Sequence, residues 1–159
     1  IAATWAVMVA LGRQGYLDKA RKIFETAFSM QAAVREQPAL RMMGNPSFCF
    51  SFTSDAFDIY HVNDAMKQRG WRFNGQQYPS AIHMCVTGPQ TQPGVVERFG
   101  SDLAAAVAYA QSPDQPIPRS GALYGGQGTR TTAKDVDMER LRQVLMRYID
   151  STLEQPGES

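Results

Sequence analysis

The apolar residues of four stretches recur every three to four positions, which is the spacing of an amphipathic helix. Helices are therefore expected over residues 16–36, 56–69, 94–111 and 136–153. Asp55 is the expected N-cap of the second of these helices. Gly70 is its expected C-terminal stop, because glycine readily adopts the left-handed conformation that ends a helix.

The first residues have a different pattern. Residues 3–12 are apolar on nearly every side and end at Gly12 and Gly15. A helix of this kind is normally buried, so we expect it to pack against something larger. The chain also begins at Ile1, inside this apolar stretch, without the polar lead-in that usually precedes a helix. We therefore expect it to be a piece of a longer protein.

Two segments alternate apolar and polar residues with the period of two that is typical of half-buried strands. In residues 48–53 the three phenylalanines share one face, and in residues 82–87 an isoleucine, a methionine and a valine do so. The opposite face is predicted to carry Cys49, Ser51, Thr53, His83, Cys85 and Thr87. That face is polar enough to border a cavity or another domain.

The remaining segments are shorter strands and loops. Residues 40–43 and 71–73 are short strand candidates, and residues 74–80 and 112–135 are predicted loops. Strands and helices mix along the chain and the sheet is small. This order predicts an α+β fold in which a small, mainly antiparallel sheet carries helices on one face.

Composition narrows the class of protein. With 43% hydrophobic and 19% charged residues, the 159-residue chain is typical of a soluble globular domain. Its net charge of +1 and scattered basic residues give no support for a nucleic-acid partner. Neither an apolar run long enough to span a bilayer nor a signal peptide is present.

The two cysteines, Cys49 and Cys85, lie in strand-like runs and lack the spacing of zinc ligands, so no metal site is expected. Two buried free thiols in a reducing compartment are the commoner arrangement, although a disulfide stays an alternative.

Two residues stand out as candidates for chemistry. His83 interrupts an apolar strand pattern, and Tyr124 lies between glycines and apolar residues on the long loop, where a hydroxyl could reach a site. A strand histidine is more often simply hydrogen-bonded, and a loop tyrosine is more often a surface anchor. The motifs of P-loop, dinucleotide-binding and serine-hydrolase enzymes are missing from the sequence.

The segment "GWRFNGQQYPSAIHMCVT" closely resembles a stretch of the sphingosine-1-phosphate lyase family. The resemblance extends, in the family's order, through "IAATWAVMVALGRQGYLDKARKIFETA", "FTSDAFDIYHVNDAMKQRGW", "TQPGVVERFGSDLAAAV" and "GALYGG". It covers roughly residues 1–128, and the final helix is poorly constrained by it. "YGGQGTRTT" differs from the family's usual "YGMA", so the substrate preference of this chain need not be that of its relatives.

The resemblance implies a homodimeric pyridoxal-5′-phosphate enzyme of the aspartate-aminotransferase fold (fold type I). Residues 1–15 would be the last helix of the large, cofactor-binding domain. Residues 16–154 would be the connecting helix and the C-terminal small domain, and residues 155–159 a disordered tail. The cofactor lysine would precede this segment, so the chain would bind no cofactor by itself and would be inactive alone. A cytoplasmic location is implied, with an upstream membrane anchor left open.

The implied reaction is a retro-aldol cleavage of a phosphorylated sphingoid base to a fatty aldehyde and phosphoethanolamine. His83 would stand where related decarboxylases carry an arginine that holds a substrate carboxylate, and Tyr124 would orient substrate or transfer a proton. An amino-acid decarboxylase of the same superfamily and a non-catalytic α+β ligand-binding module stay as alternatives.

Overall fold

The computed structural model describes residues 1–76, 79–120 and 146. Its helices are α1 (Ala2–Arg35), α2 (Ile59–Gln68) and α3 (Val95–Ala110), with a short 3-10 helix at Gly88–Thr91. Its strands are β1 (Arg41–Met42), β2 (Cys49–Thr53), β3 (Asn74–Gln76) and β4 (Ala81–Cys85). The Tyr124 candidate, the expected 136–153 helix apart from Met146, and the expected tail lie outside the described residues.

The four strands form one sheet in the order β1-β2-β4-β3, and every neighbouring pair is antiparallel. One face of the sheet carries the core, in which Phe50, Phe52, Ile82 and Met84 pack with the buried residues of the three helices. The expected α+β fold, with helices on one face of a small antiparallel sheet, is confirmed.

Helix α1 is kinked at Gly12, whose φ of 57° and ψ of −176° are open essentially only to glycine. The helix break predicted at Gly12 is confirmed, but the second part begins before residue 16 and includes Gly15. Trp5, Met8 and Val9 in the first part are 67%, 55% and 62% exposed. The described part of the chain therefore leaves this apolar stretch uncovered, and its burial against a larger partner stays a prediction.

The start of α2 differs from the prediction. Asp58, not Asp55, is the N-cap, and its Oδ1 accepts the backbone N–H of Tyr60 at 3.0 Å. Asp55 instead pairs with Arg41 on β1, with 3.2 Å between Nε and Oδ2. The end of the helix is as expected, since Gly70 follows it with a φ of 87°.

The expected strand at residues 71–73 is wrong, and the strand lies at Asn74–Gln76, in the expected loop. The reason is the packing of Trp71, which is buried against Phe99 of α3 with ring centroids 5.2 Å apart. Its indole N–H donates to Oδ2 of Asp102 at 2.8 Å. Trp71 is thereby directed toward α3, and the chain reaches the sheet edge only at Asn74.

Two further details of the strands were not predicted. Phe48 does not join the core as Phe50 and Phe52 do; it is 41% exposed, 5.7 Å from the ring of Phe24. Thr87 lies beyond β4. Its backbone N–H and its hydroxyl both donate to Oε1 of Gln90 in the cap of the 3-10 helix.

Among the residues that the structure describes, no helix has the length and apolar character needed to cross a bilayer.

Candidate functional site

Three polar residues form a row across the sheet on the face opposite the helices. Ser51 of β2 and Asn74 of β3 are both register partners of His83 on β4. Because side chains alternate between the two faces of a strand, His83 points away from the face that carries Ile82 and Met84. The structure confirms the predicted face for His83. We call Ser51, His83 and Asn74 the polar row.

The imidazole of His83 is only partly satisfied by its neighbours. Its Nε2 lies 3.3 Å from Nδ2 of Asn74. Its Nδ1 is buried and has no hydrogen-bond partner among the described residues. A buried ring nitrogen without a partner costs free energy on the order of 1–3 kcal/mol. Nδ1 therefore keeps an unused hydrogen-bonding capacity that a group from outside the described residues could meet.

Both cysteines lie on the same face, two residues along their strands from Ser51 and His83 of the polar row. Cys49 and Cys85 are register partners, and their Sγ atoms are 2.8 Å apart. Cys85 is exposed and Cys49 is half-buried, so the expectation that both thiols are buried is wrong. Burial, reinforced by the neighbouring Cys85, raises the pKa of the Cys49 thiol to about 11. Cys49 is thus a protonated thiol at neutral pH.

An open cavity of about 770 Å³ lies beside the end of the polar row and shares Asn74 with it. Its lining includes the basic side chains Lys67, Arg72 and Arg119, whereas His83 is not among its described lining residues. Basic side chains of this kind suit an anionic group.

The carboxylate of Asp64 fixes residues 119 and 120 to α2. Asp64 accepts the backbone N–H of Arg119 at 2.6 Å and that of Ser120 at 3.0 Å. The hydroxyl of Ser120 also donates to the backbone carbonyl of Tyr60 at 3.2 Å. Tyr124, the second predicted site residue, follows Ser120 by four residues and lies outside the described residues.

The described residues do not supply a complete pyridoxal-phosphate site. Such a site needs a lysine for the covalent bond to the cofactor. Lys19, Lys22 and Lys67 are all exposed on helices, and none is paired with the polar row. Clusters of three or more metal-ligating side chains are also missing from the described ranges.

Sequence reasoning missed two of these residues. Asn74 belongs to "NGQQ", which looks like an ordinary turn, and only the register of β3 brings it to His83. Asp64 is the single acid within α2, and its partners are 55 and 56 residues away. Neither residue carries a local signal, because both roles depend on long-range packing.

Comparison with known proteins finds relatives that share one name, sphingosine-1-phosphate lyase. No protein-family profile matches the chain. It is 38% identical over 127 residues to a sphingosine-1-phosphate lyase of Drosophila melanogaster, covering 79% of the chain and 23% of that protein. It is 37% identical over 153 residues to a sphingosine-1-phosphate lyase of Arabidopsis thaliana, covering 95% and 27%.

A solved structure agrees with these relatives. The sphingosine-1-phosphate lyase of Burkholderia pseudomallei is 53% identical and superposes with a TM-score of 0.68. That match covers 98% of this chain and 29% of the Burkholderia chain. The chain thus spans about a quarter of the length of the curated relatives it matches.

Proposed function

The chain belongs to the sphingosine-1-phosphate lyase family, and we propose that it forms the C-terminal part of a pyridoxal-phosphate-dependent carbon–carbon lyase. The observation that carries this proposal is the 53% identity to the Burkholderia lyase along 98% of the chain. The substrate we propose is a phosphorylated sphingoid base, cleaved between Cα and Cβ to a fatty aldehyde and phosphoethanolamine.

The cofactor is held by a part of the enzyme outside this chain. The exposed positions of Lys19, Lys22 and Lys67 support this, while Lys134 lies outside the described residues. When bound, pyridoxal phosphate supplies the electron sink that accepts the electron pair of the broken bond. The chain by itself is then inactive and acts by completing the substrate pocket.

His83 occupies a position at which an arginine would bind a carboxylate that the proposed substrate lacks. Decarboxylases and aminotransferases of this superfamily hold a substrate α-carboxylate with an arginine, which forms a bidentate pair. A sphingoid base has no such carboxylate, and an unpaired buried guanidinium would be costly. A histidine on the outer face of β4, with Nε2 beside Asn74 and Nδ1 free of described partners, suits an amine substrate without a carboxylate better.

Tyr124 is the second residue that we propose for the site. Its phenol would orient the substrate or move a proton at the hydroxyl next to the broken bond. The Asp64 contacts support this, because they hold Ser120 in place and Tyr124 follows by four residues. Four residues of extended chain reach at most about 14 Å, which limits where the phenol can go.

The partner of this chain is the remainder of its own enzyme, and the active form is a homodimer in the cytoplasm. The exposed apolar side chains of the first part of α1 support the first point. A surface with Trp5, Met8 and Val9 exposed together is typical of a face that another domain covers.

The test is an assay of the full-length enzyme with phosphorylated sphingoid bases and with L-amino acids. We expect aldehyde release from the former and no decarboxylation of the latter. His83→Arg should lower the lyase kcat/KM about tenfold or more, because it places an unpaired cation in the pocket. His61→Arg, on α2, is the matched control and should leave the rate unchanged.

Tyr124→Phe should lower the lyase rate about 100-fold if the phenol moves a proton. An unchanged rate in this variant would remove Tyr124 from the site. Decarboxylation faster than lyase turnover in the wild-type enzyme would instead favour the decarboxylase. Absence of both activities, with no cofactor bound by the full-length protein, would favour the ligand-binding module.

A further inference from the structure

The cysteine rung has the backbone geometry of a disulfide. The backbone N–H of Val86 donates to the carbonyl of Phe48 at 2.9 Å, so those two residues form a hydrogen-bonded pair. Pairs alternate along an antiparallel ladder, which makes Cys49 and Cys85 a non-hydrogen-bonded pair. Such pairs have Cα atoms about 4.5 Å apart, which lies inside the range that a disulfide bond accepts.

The side chains already meet on that rung. The two Sγ atoms are 2.8 Å apart, so a bond between them requires no rearrangement of the strands. The rung lies on the face opposite the core, with Cys85 exposed. This differs from the usual setting of inert cysteines, which are enclosed in apolar cores.

We propose that Cys49 and Cys85 form a reversible thiol–disulfide site that small disulfides such as oxidised glutathione convert to a cross-strand disulfide. The exposed Cys85 thiolate attacks one sulfur of oxidised glutathione and releases one glutathione thiolate. The Cys49 thiol then loses its proton to solvent and attacks Sγ of Cys85, which releases the second glutathione. Two cysteine thiols are oxidised, and one glutathione disulfide is reduced to two glutathione molecules.

The order of attack follows from the two environments. The pKa of Cys49 is raised to about 11 by burial, so few Cys49 thiolates exist at neutral pH. Exposed Cys85 is the thiol that a bulky glutathione molecule can reach. Cys49 therefore acts second, as the resolving thiol, from 2.8 Å away.

The disulfide would cross-link the two central strands two residues from the polar row. Cys85 is two residues from His83 on β4, and Cys49 is two residues from Ser51 on β2. Oxidation would thus restrain the strands that carry Ser51 and His83. The proposal does not depend on the lyase reaction, because thiol content can be measured without an activity.

In the experiment, the full-length protein is incubated in glutathione buffers in which the oxidised fraction increases. The samples are then quenched with acid and alkylated, and their peptides are mapped by mass spectrometry. In wild type we expect a linked Cys49–Cys85 peptide that dithiothreitol removes. The Cys49→Ser variant should stop at a glutathione adduct on Cys85. The Cys85→Ser variant should acquire neither the cross-link nor an adduct at Cys49.

Two results would overturn the proposal. One is a wild-type protein in which both cysteines stay alkylatable at every buffer ratio. The other is a Cys49→Ser variant in which Cys85 gains no adduct. The wild-type peptide map decides the matter even if a variant fails to fold. A melting temperature that rises on oxidation in wild type, but not in the Cys49→Ser/Cys85→Ser double variant, would give independent support.

Discussion

Asp64 Oδ2 accepts the backbone N–H of Arg119 at 2.6 Å, which joins the middle of α2 to a segment 55 residues further along the chain. The other oxygen of the same carboxylate accepts the N–H of Ser120. One side chain thus satisfies two consecutive backbone donors outside any helix or strand. The position of Arg119 and Ser120 relative to α2 depends on that carboxylate.

Replacing Asp64 by asparagine should loosen this attachment. An amide has a single acceptor oxygen, and its NH₂ group would face one of the two backbone donors. Hydrogen bonds to a charged group contribute about 1.5–3 kcal/mol. We therefore expect the amide hydrogens of Arg119 and Ser120 to exchange about tenfold faster or more in Asp64→Asn, measured residue by residue by NMR.

Asp114→Asn is the matched control, because Asp114 is an exposed acid in the same segment. It should leave the exchange of both amides unchanged. Equal exchange in Asp64→Asn and wild type would show that the carboxylate does not hold the segment. In the full-length enzyme, Asp64→Asn should also lower kcat if the attachment positions Tyr124.

Asp58 caps α2, but its partial burial disfavours the charged form of its carboxyl group. Burial raises the pKa of this carboxyl, the negative charge of Asp64 adds to the rise, and the N–H of Tyr60 opposes it. Because the folded pKa exceeds the unfolded one, the folded protein binds more protons between these two values. Stability from this group is complete below the unfolded pKa and is lost as pH rises through the folded pKa.

Asp58→Asn keeps a side-chain oxygen for the cap but cannot ionise, so this loss should disappear. We expect the asparagine variant to gain stability relative to wild type as pH rises through that acidic window. Asp58→Ala should be about 1 kcal/mol less stable than Asp58→Asn at neutral pH, because the cap is lost. Urea denaturation at several pH values measures both effects, and parallel pH profiles of Asp58→Asn and wild type would contradict the first.

Gly12 and Gly100 lie within α1 and α3, but they differ in whether the backbone there accepts a side chain. Gly12 has a φ of 57°, whereas Gly100 lies in α3, where an added Cβ would meet Ala33 at an ordinary 3.8 Å. Gly12→Ala should destabilise the protein by about 1–3 kcal/mol because of backbone strain. Gly100→Ala should stabilise it by about 0.5–1 kcal/mol through helix propensity. Thermal denaturation of both variants tests the pair, and a stabilised Gly12→Ala would show that α1 can run straight.

Trp71 joins α3 to the segment before β3 through several contacts. Its indole bonds Asp102, and Arg98 stacks 4.6 Å above the ring centroid. Trp71→Ala should cost about 3–5 kcal/mol, as for other buried large aromatic residues. Trp71→Phe should cost about 1 kcal/mol, the contribution of the lost hydrogen bond.

Trp5 provides the control, because it is the other tryptophan and is 67% exposed. If the partner domain of α1 is absent from the sample, Trp5→Phe should change stability by less than about 0.5 kcal/mol. Denaturant midpoints of the three variants give the comparison. A Trp71→Ala variant as stable as Trp5→Phe would contradict the proposed role of Trp71.

Local pattern predicted the helices of residues 1–120 and the central strands well. The helix expected at residues 94–111 is α3, with Gly94 and Gln111 as its two caps. The alternation in residues 82–87 correctly placed Ile82, Met84 and Val86 in the core and His83 on the other face. These features depend on periodicity alone, which a single sequence displays.

The predictions were wrong where the local sequence suits two different arrangements. Asp55 and Asp58 are both good N-caps, but Asp58 caps the helix and Asp55 pairs with Arg41 of β1. Trp71 has high strand propensity, but packing on Phe99 and Asp102 outweighs it. For the candidate site, His83 was identifiable from sequence, whereas Asn74 required the register of β3.

The polar row also determines how this surface could be altered by engineering. Its three members come from three separate sequence motifs, yet His83 has Ser51 on one side and Asn74 on the other. Effects of substitutions at contacting positions rarely add. Randomising one position at a time would therefore miss combinations that work together, so a library that varies all three positions at once is the better way to alter this surface.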